Sequence, residues 1–208
     1  VGHFSEPVMT ILFLACSPLA LCMMLGYRFR ITGFLFLVIQ TYFFLSNPLN
    51  YLNHIYFALI LGFLLWVTPS HRIWSLDAVR NRKKGTWPEN DSIPRWAIYL
   101  ILIQMEIMLV SAGLVKLSPE FYEGHPLREW LVKILDYPLF YYEWEIRVAI
   151  FLSIATHLLI APFLLFKKTR LYALGMYAFF HLSNHFIFPG IGVFPFLTFA
   201  ATTMFLDP

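Results

Sequence analysis

Lys116 stands at a place where a lysine is costly. It closes the apolar run Trp96–Val115 and follows Ser111-Ala112-Gly113, small residues that let a second helix approach closely. Two fates are open to it. The side chain can snorkel to lipid headgroups from a helix end, or desolvation can disfavour its ammonium and leave a neutral amine, a base, near neutral pH. His181, Asn184 and His185 fall at i, i+3 and i+4 of another apolar run and share one helical stripe. The two imidazoles fit either a two-ligand metal site or hydrogen bonds between helices; no third ligand is placed beside them, so no metal is expected. Asn53-His54 open a further run. Glu106 and His157 lie midway along antiparallel runs, at about the same depth, where an unpaired polar group is expensive. The expectation is a Glu106–His157 hydrogen bond that fastens the two runs and holds Lys116 in position. The competing reading has Glu106 protonated and His157 bonded to a backbone carbonyl. His71, next to Arg72, reads as an interfacial anchor.

The elements that carry these residues follow from composition. Of the 208 residues 59% are apolar and 13% charged, against about 45–50% and 25% in soluble domains. The excess falls into long blocks near the roughly 20 residues that cross a hydrocarbon core, and lipid offers backbone groups no partner outside a helix. The expected fold is therefore all-α: a polytopic transmembrane bundle of about seven hydrophobic segments, treated as one domain over 1–208. The segments are Pro7–Tyr27, Ile31–Ser46, Tyr51–Pro69, Trp96–Val115, Ile146–Phe166, Leu171–Phe188 and Ile191–Leu206. Because the chain opens on Val1 rather than Met, it is expected to be an excerpt of a longer one. Cys16 and Cys22 lie on nearly opposite faces of one helix and are expected to stay unbridged.

His71–Arg80 sets Ile73, Trp74, Leu76 and Val79 among basic residues, as in an amphipathic helix lying in the headgroup layer; a solvated turn is the alternative. Gly85, Pro88, Asn90, Asp91 and Pro94 break any helix beyond it. The connection Leu117–Glu145, rich in aromatics and proline, is expected to be ordered at the membrane surface. Eleven of the fifteen Lys and Arg residues fall in connections on one side and four on the other, which makes the first side cytoplasmic. The net charge of +3 makes no case for nucleic acid. Asn53, His54, Lys116, His181 and Asn184 then share the outer face, with a backbone break at Phe188-Pro189-Gly190-Ile191-Gly192.

Four blocks in this order carry a resemblance. Tyr51-Leu52-Asn53-His54, Ser70-His71-Arg72-Ile73-Trp74-Ser75-Leu76-Asp77, Gln104 leading to Ala112-Gly113-Leu114-Val115-Lys116-Leu117, and Phe180-His181 with Asn184 and Ile191-Gly192-Val193-Phe194 resemble the membrane core of vitamin K-dependent γ-glutamyl carboxylases. They are similar also to the bacterial horizontally transferred transmembrane (HTTM) relatives of those enzymes. The resemblance runs from about Asn47 to the C-terminus. It implies that Lys116 deprotonates reduced vitamin K or another quinol, that His54, adjoined by Asn53, stands beside the oxygenated intermediate, and that His181 and Asn184 line the quinone site. Oxygen and carbon dioxide are the implied co-substrates: an alkoxide removes a γ-proton from glutamate, carbon dioxide adds, and the quinone leaves as an epoxide. A dry pocket suits such a reaction. The implied partners are the bilayer, a quinone and an extracytoplasmic protein or domain; the implied location is a bacterial inner membrane.

Two departures weigh against peptide carboxylation. Val115 stands where vertebrate members carry a second lysine, and their extramembrane substrate-binding domain has no counterpart in these residues. The alternative is a non-catalytic membrane module that binds a quinone or lipid, or anchors a partner domain. A transporter is disfavoured, since no repeated halves or paired half-helices are visible.

Overall fold

Leu, Ile, Phe and Ala fill the long segments on all sides rather than along one stripe, as helices facing lipid do. The computed structural model describes residues 4–46, 52–87, 92–136, 138–188 and 192–206, and among these every regular element is helical. In chain order they are α1 (Glu6–Met24), α2 (Phe29–Ser46), α3 (Asn53–Val67), α4 (Leu76–Lys83), α5 (Arg95–Val115), α6 (Pro119–Tyr122), α7 (His125–Leu127), α8 (Glu143–Leu165), α9 (Arg170–Ile187) and α10 (Phe194–Thr202). A π-helical stretch, Arg128–Ile134, continues α7.

Among the described residues four helices, α1, α2, α5 and α8, are long and apolar enough to cross a membrane. The expected count of about seven is not reached by this measure. With 15 residues, α3 extends only about 22 Å at 1.5 Å per residue, and α10 is shorter still; α9 has 18 residues but spends several on a polar stripe. The breaks expected at Pro88, Asn90 and Asp91, the break through Pro189-Gly190-Ile191 and the start of a span at Tyr51 lie outside the described residues. Cys16 and Cys22 are unbridged.

The chain divides into two compact units, 1–101 and 102–208, with the division inside α5. In the first, α1 pairs with α2 and α2 with α3. Its corner is built around a glycine and an aspartate. Gly26 has φ +63°, and a Cβ there would lie 2.3 Å from the Ser75 Cβ, so only glycine lets the two strands of backbone meet. There Leu76 and Asp77 donate their N–H groups to the carbonyls of Leu25 and Gly26 at 2.9 and 3.0 Å. The Asp77 carboxylate in turn accepts the N–H groups of Arg28 and Phe29 at 3.0 and 2.8 Å. It thereby satisfies donors that the start of α2 would otherwise leave open. The helix expected over His71–Arg80 is displaced: Ser70–Arg72 form a 3-10 turn, and α4 begins only at Leu76, where the Ser75 hydroxyl caps it by accepting the Ala78 N–H at 3.0 Å.

In the second unit α8 pairs with α9 and α9 with α10. Glu143 and Glu145 occupy the first turn of α8, where negative charge suits the helix dipole, and the Glu145 carboxylate accepts the Tyr142 N–H at 3.1 Å. At the other end the buried Arg170 guanidinium donates to the Leu164 carbonyl at 3.0 Å, which closes the α8–α9 corner. The described residues of the Leu117–Glu145 connection form an apolar cluster, Leu131 and Phe140 against Ile146 and Ile150 of α8.

Candidate functional site

Gly113 decides where Lys116 ends up. A Cβ on Gly113 would lie 2.5 Å from the Leu158 Cδ2 and 3.4 Å from the His157 Cβ, so α5 closes on α8 at that level because residue 113 has no side chain. Lys116, the first residue after α5, is held half-buried next to this approach. Its Nζ donates to the Ala112 carbonyl at 3.1 Å and lies 5.9 Å from the centre of the Phe121 ring. One carbonyl is a thin supply for a group with three donors. Burial accordingly pushes the ammonium down to about 8.

Two buried imidazoles lie in the same unit. His157 is buried on α8; its Nδ1 lies 2.9 Å from the Ser153 carbonyl. A carbonyl only accepts, so the proton is on Nδ1 and Nε2 presents a bare lone pair. His181 is buried on α9, with Nε2 3.1 Å from the Thr198 hydroxyl of α10. That hydroxyl also reaches the Phe194 and Pro195 carbonyls at 3.0 and 3.1 Å. The buried Nδ1 of His181 has no partner. Aromatic rings wall these atoms: Tyr177 edge-on to His181 at 4.2 Å, and Phe180 edge-on to His157 at 4.9 Å.

The expected Glu106–His157 bond does not form. His157 has a nearer acceptor in its own helix, four residues back, and the buried Oε1 of Glu106 has no partner; the arrangement is the competing one, with His157 on a backbone carbonyl. Asn184 is half-buried one turn beyond His181, near the end of α9, whereas His185 is exposed and faces the Phe196 ring at 5.1 Å. The two histidines of the stripe thus diverge instead of converging. Among the described residues no group of three or more His, Cys, Asp or Glu gathers to hold a metal. Asn53 and His54 form the first turn of α3 in the first unit, Asn53 exposed and His54 half-buried. Thr198 and Tyr177 are the members that sequence reasoning missed. A threonine four residues after Phe194, on the short helix that faces α9, was the available signal.

Long apolar helices with a lysine and two imidazoles set among aromatic rings define a polytopic helical membrane protein with a polar cluster in apolar surroundings. The HTTM-domain family model matches residues 1–208, and the chain belongs to that family, a membrane domain of the carboxylase family. No solved structure matches it.

Proposed function

We propose that the protein is a membrane enzyme that handles a reduced quinone, with Lys116 as the base. The observation that carries this reading is the buried, partnerless Nδ1 of His181, in the same unit as a lysine whose ammonium burial has weakened. A neutral amine and two imidazole lone pairs are all acceptors of protons. A quinol has the matching inventory: two hydroxyl donors on an apolar ring that reaches the site through lipid. The quinol supplies the reducing equivalents and, with oxygen, the strong base by which members of the family activate a carbon acid. In this chain the Lys116 amine takes a hydroxyl proton, His157 and His181 accept hydrogen bonds from the ring's oxygens, and Tyr177, Phe180 and Phe194 keep water away. Asn184 is proposed to act at the same end of α9.

The test is quinol turnover by purified protein in nanodiscs, followed as quinone epoxide appearing under oxygen. Epoxide from wild type and none from Lys116→Ala supports the enzyme. Quinone retained by both proteins without epoxide would assign the chain to the non-catalytic binding class instead.

A further inference from the structure

The first unit carries a charged recess that quinol chemistry does not use. Arg28, Arg30, Ile31, Asp77, Arg80 and Asn81 line a depression of about 320 Å³ where the start of α2 meets α4. Three guanidiniums face it against one carboxylate, and both oxygens of that carboxylate are engaged by the N–H groups of Arg28 and Phe29. Arg30 also donates to the Trp66 carbonyl, and Arg28 lies 5.9 Å from the Tyr27 ring centre. Among the described residues no ion pair neutralises Arg28, Arg30 or Arg80. Like charges around one recess repel each other. An anion seated there would relieve that repulsion, and guanidinium forks match the oxygens of a phosphate.

The exposed residues that neighbour the lining of the recess along the chain say which anion. Trp74 is 96% exposed, Leu76 46% and Val79 50%. At about 100° per residue along α4, Leu76 and Val79 lie together on one side of the arc that holds Arg80, Asp77 and Asn81, next to Arg80. A free phosphate has no use for bare tryptophan and aliphatic side chains, whereas a lipid offers a phosphate and acyl chains at adjacent depths. We propose that this α2–α4 corner binds the headgroup phosphate of an anionic phospholipid. Arg28, Arg30 and Arg80 hold the phosphate oxygens, Asn81 donates an amide N–H, and Trp74, Leu76 and Val79 enter the acyl boundary.

The experiment is native mass spectrometry of the full chain, purified in micelles doped with equal amounts of phosphatidylglycerol and phosphatidylcholine. Wild type is expected to retain the glycerol lipid with a preference of about ten-fold. Arg80→Gln, which removes an exposed side chain, should lower that preference several-fold without changing the melting temperature. Lys83→Gln and Lys84→Gln remove equal charge on and just beyond the same helix, outside the recess, and should leave it unchanged. A loss of equal size in Lys83→Gln would overturn the site in favour of diffuse surface charge. Displacement of the lipid by millimolar glycerol phosphate would overturn the lipid as occupant. No quinone enters the measurement, so its failure is independent of the redox reading.

Discussion

Asp77 and Lys116 are both charged side chains at the edge of apolar helices, and the fold treats them in opposite ways. Asp77 has each carboxylate oxygen on a backbone N–H within 3.0 Å. Hydrogen bonds to charged groups contribute about 1.5–3 kcal/mol each, so this residue serves to hold the corner. Lys116 has one carbonyl and the edge of an aromatic environment, in the same unit as His181, whose buried Nδ1 has no partner. Polar groups that are fully spent make structure, and groups left unspent can react. His71 is the mixed case. It stacks on Phe29 at 4.9 Å, yet its Nδ1 has no partner, and burial, followed by the Arg30 charge, holds the imidazole below its ordinary value.

The comparison breaks most readily at Lys116. Lys116→Ala is expected to cut quinol turnover by about 10²–10⁴-fold, and Lys116→Arg should not restore it, because guanidinium keeps its proton; retained epoxide formation in the arginine variant would return Lys116 to the snorkelling class. Turnover should also rise with pH through about 8, as the amine becomes neutral. Stability should move in the same direction. The folded state disfavours the ammonium, so that cost is fully present below about 8 and is relieved as pH climbs toward the ordinary lysine value of 10.5. Melting curves of wild type and Lys116→Met in micelles should therefore converge at high pH.

At the other pole, Asp77→Ala should destabilise by about 3 kcal/mol, with two backbone donors left open, and leave the turnover of the surviving folded protein near wild type. Denaturant unfolding in mixed micelles measures the first and the epoxide assay the second. Gly113→Ala is a smaller test, at about 1–3 kcal/mol, since the new methyl must displace the Leu158 side chain. It should also lower turnover, by shifting α8 with His157. The smallest effect expected is a coupling of nothing: Glu106→Ala and His157→Ala should add to within about 0.5 kcal/mol, and a larger interaction energy would reinstate the pair that the structure separates.

Much of the second unit's cluster was legible in the amino-acid order. Lys116 after a run of small residues marks a close helix approach, and the Leu158 contact at Gly113 is that approach. The stripe on α9 was legible as polar but not in its detail, because three residues on one helical face do not say which of them meets α10. Thr198 was missed because a threonine among phenylalanines reads as a mild hydrophobe until its hydroxyl finds an imidazole 17 positions away. The Glu106–His157 pairing failed for a local reason: a helical histidine always has an acceptor four residues back, and a distant carboxylate must outcompete it. The role of Asp77 was invisible. Its partners are backbone N–H groups, which every residue but proline possesses, and no side-chain pattern announces them.

The Asp77 contact also runs backwards along the chain. The turn that leads into α2 is completed by a carboxylate 48–49 positions later, and at roughly 5–20 residues per second that residue leaves the ribosome about 2–10 s after the turn it closes. During that interval α1 and α2 can already occupy the bilayer as a hairpin, while the N–H groups of Arg28 and Phe29 have only water and headgroups to bind. The first three helices are thus delivered in an order that leaves their junction unlocked, and the arrival of Ser75-Leu76-Asp77 is the event that latches it. A nascent chain stalled before Ser75 should remain open to protease at Gly26, and one stalled far enough beyond Asp77 for α4 to clear the exit tunnel should not.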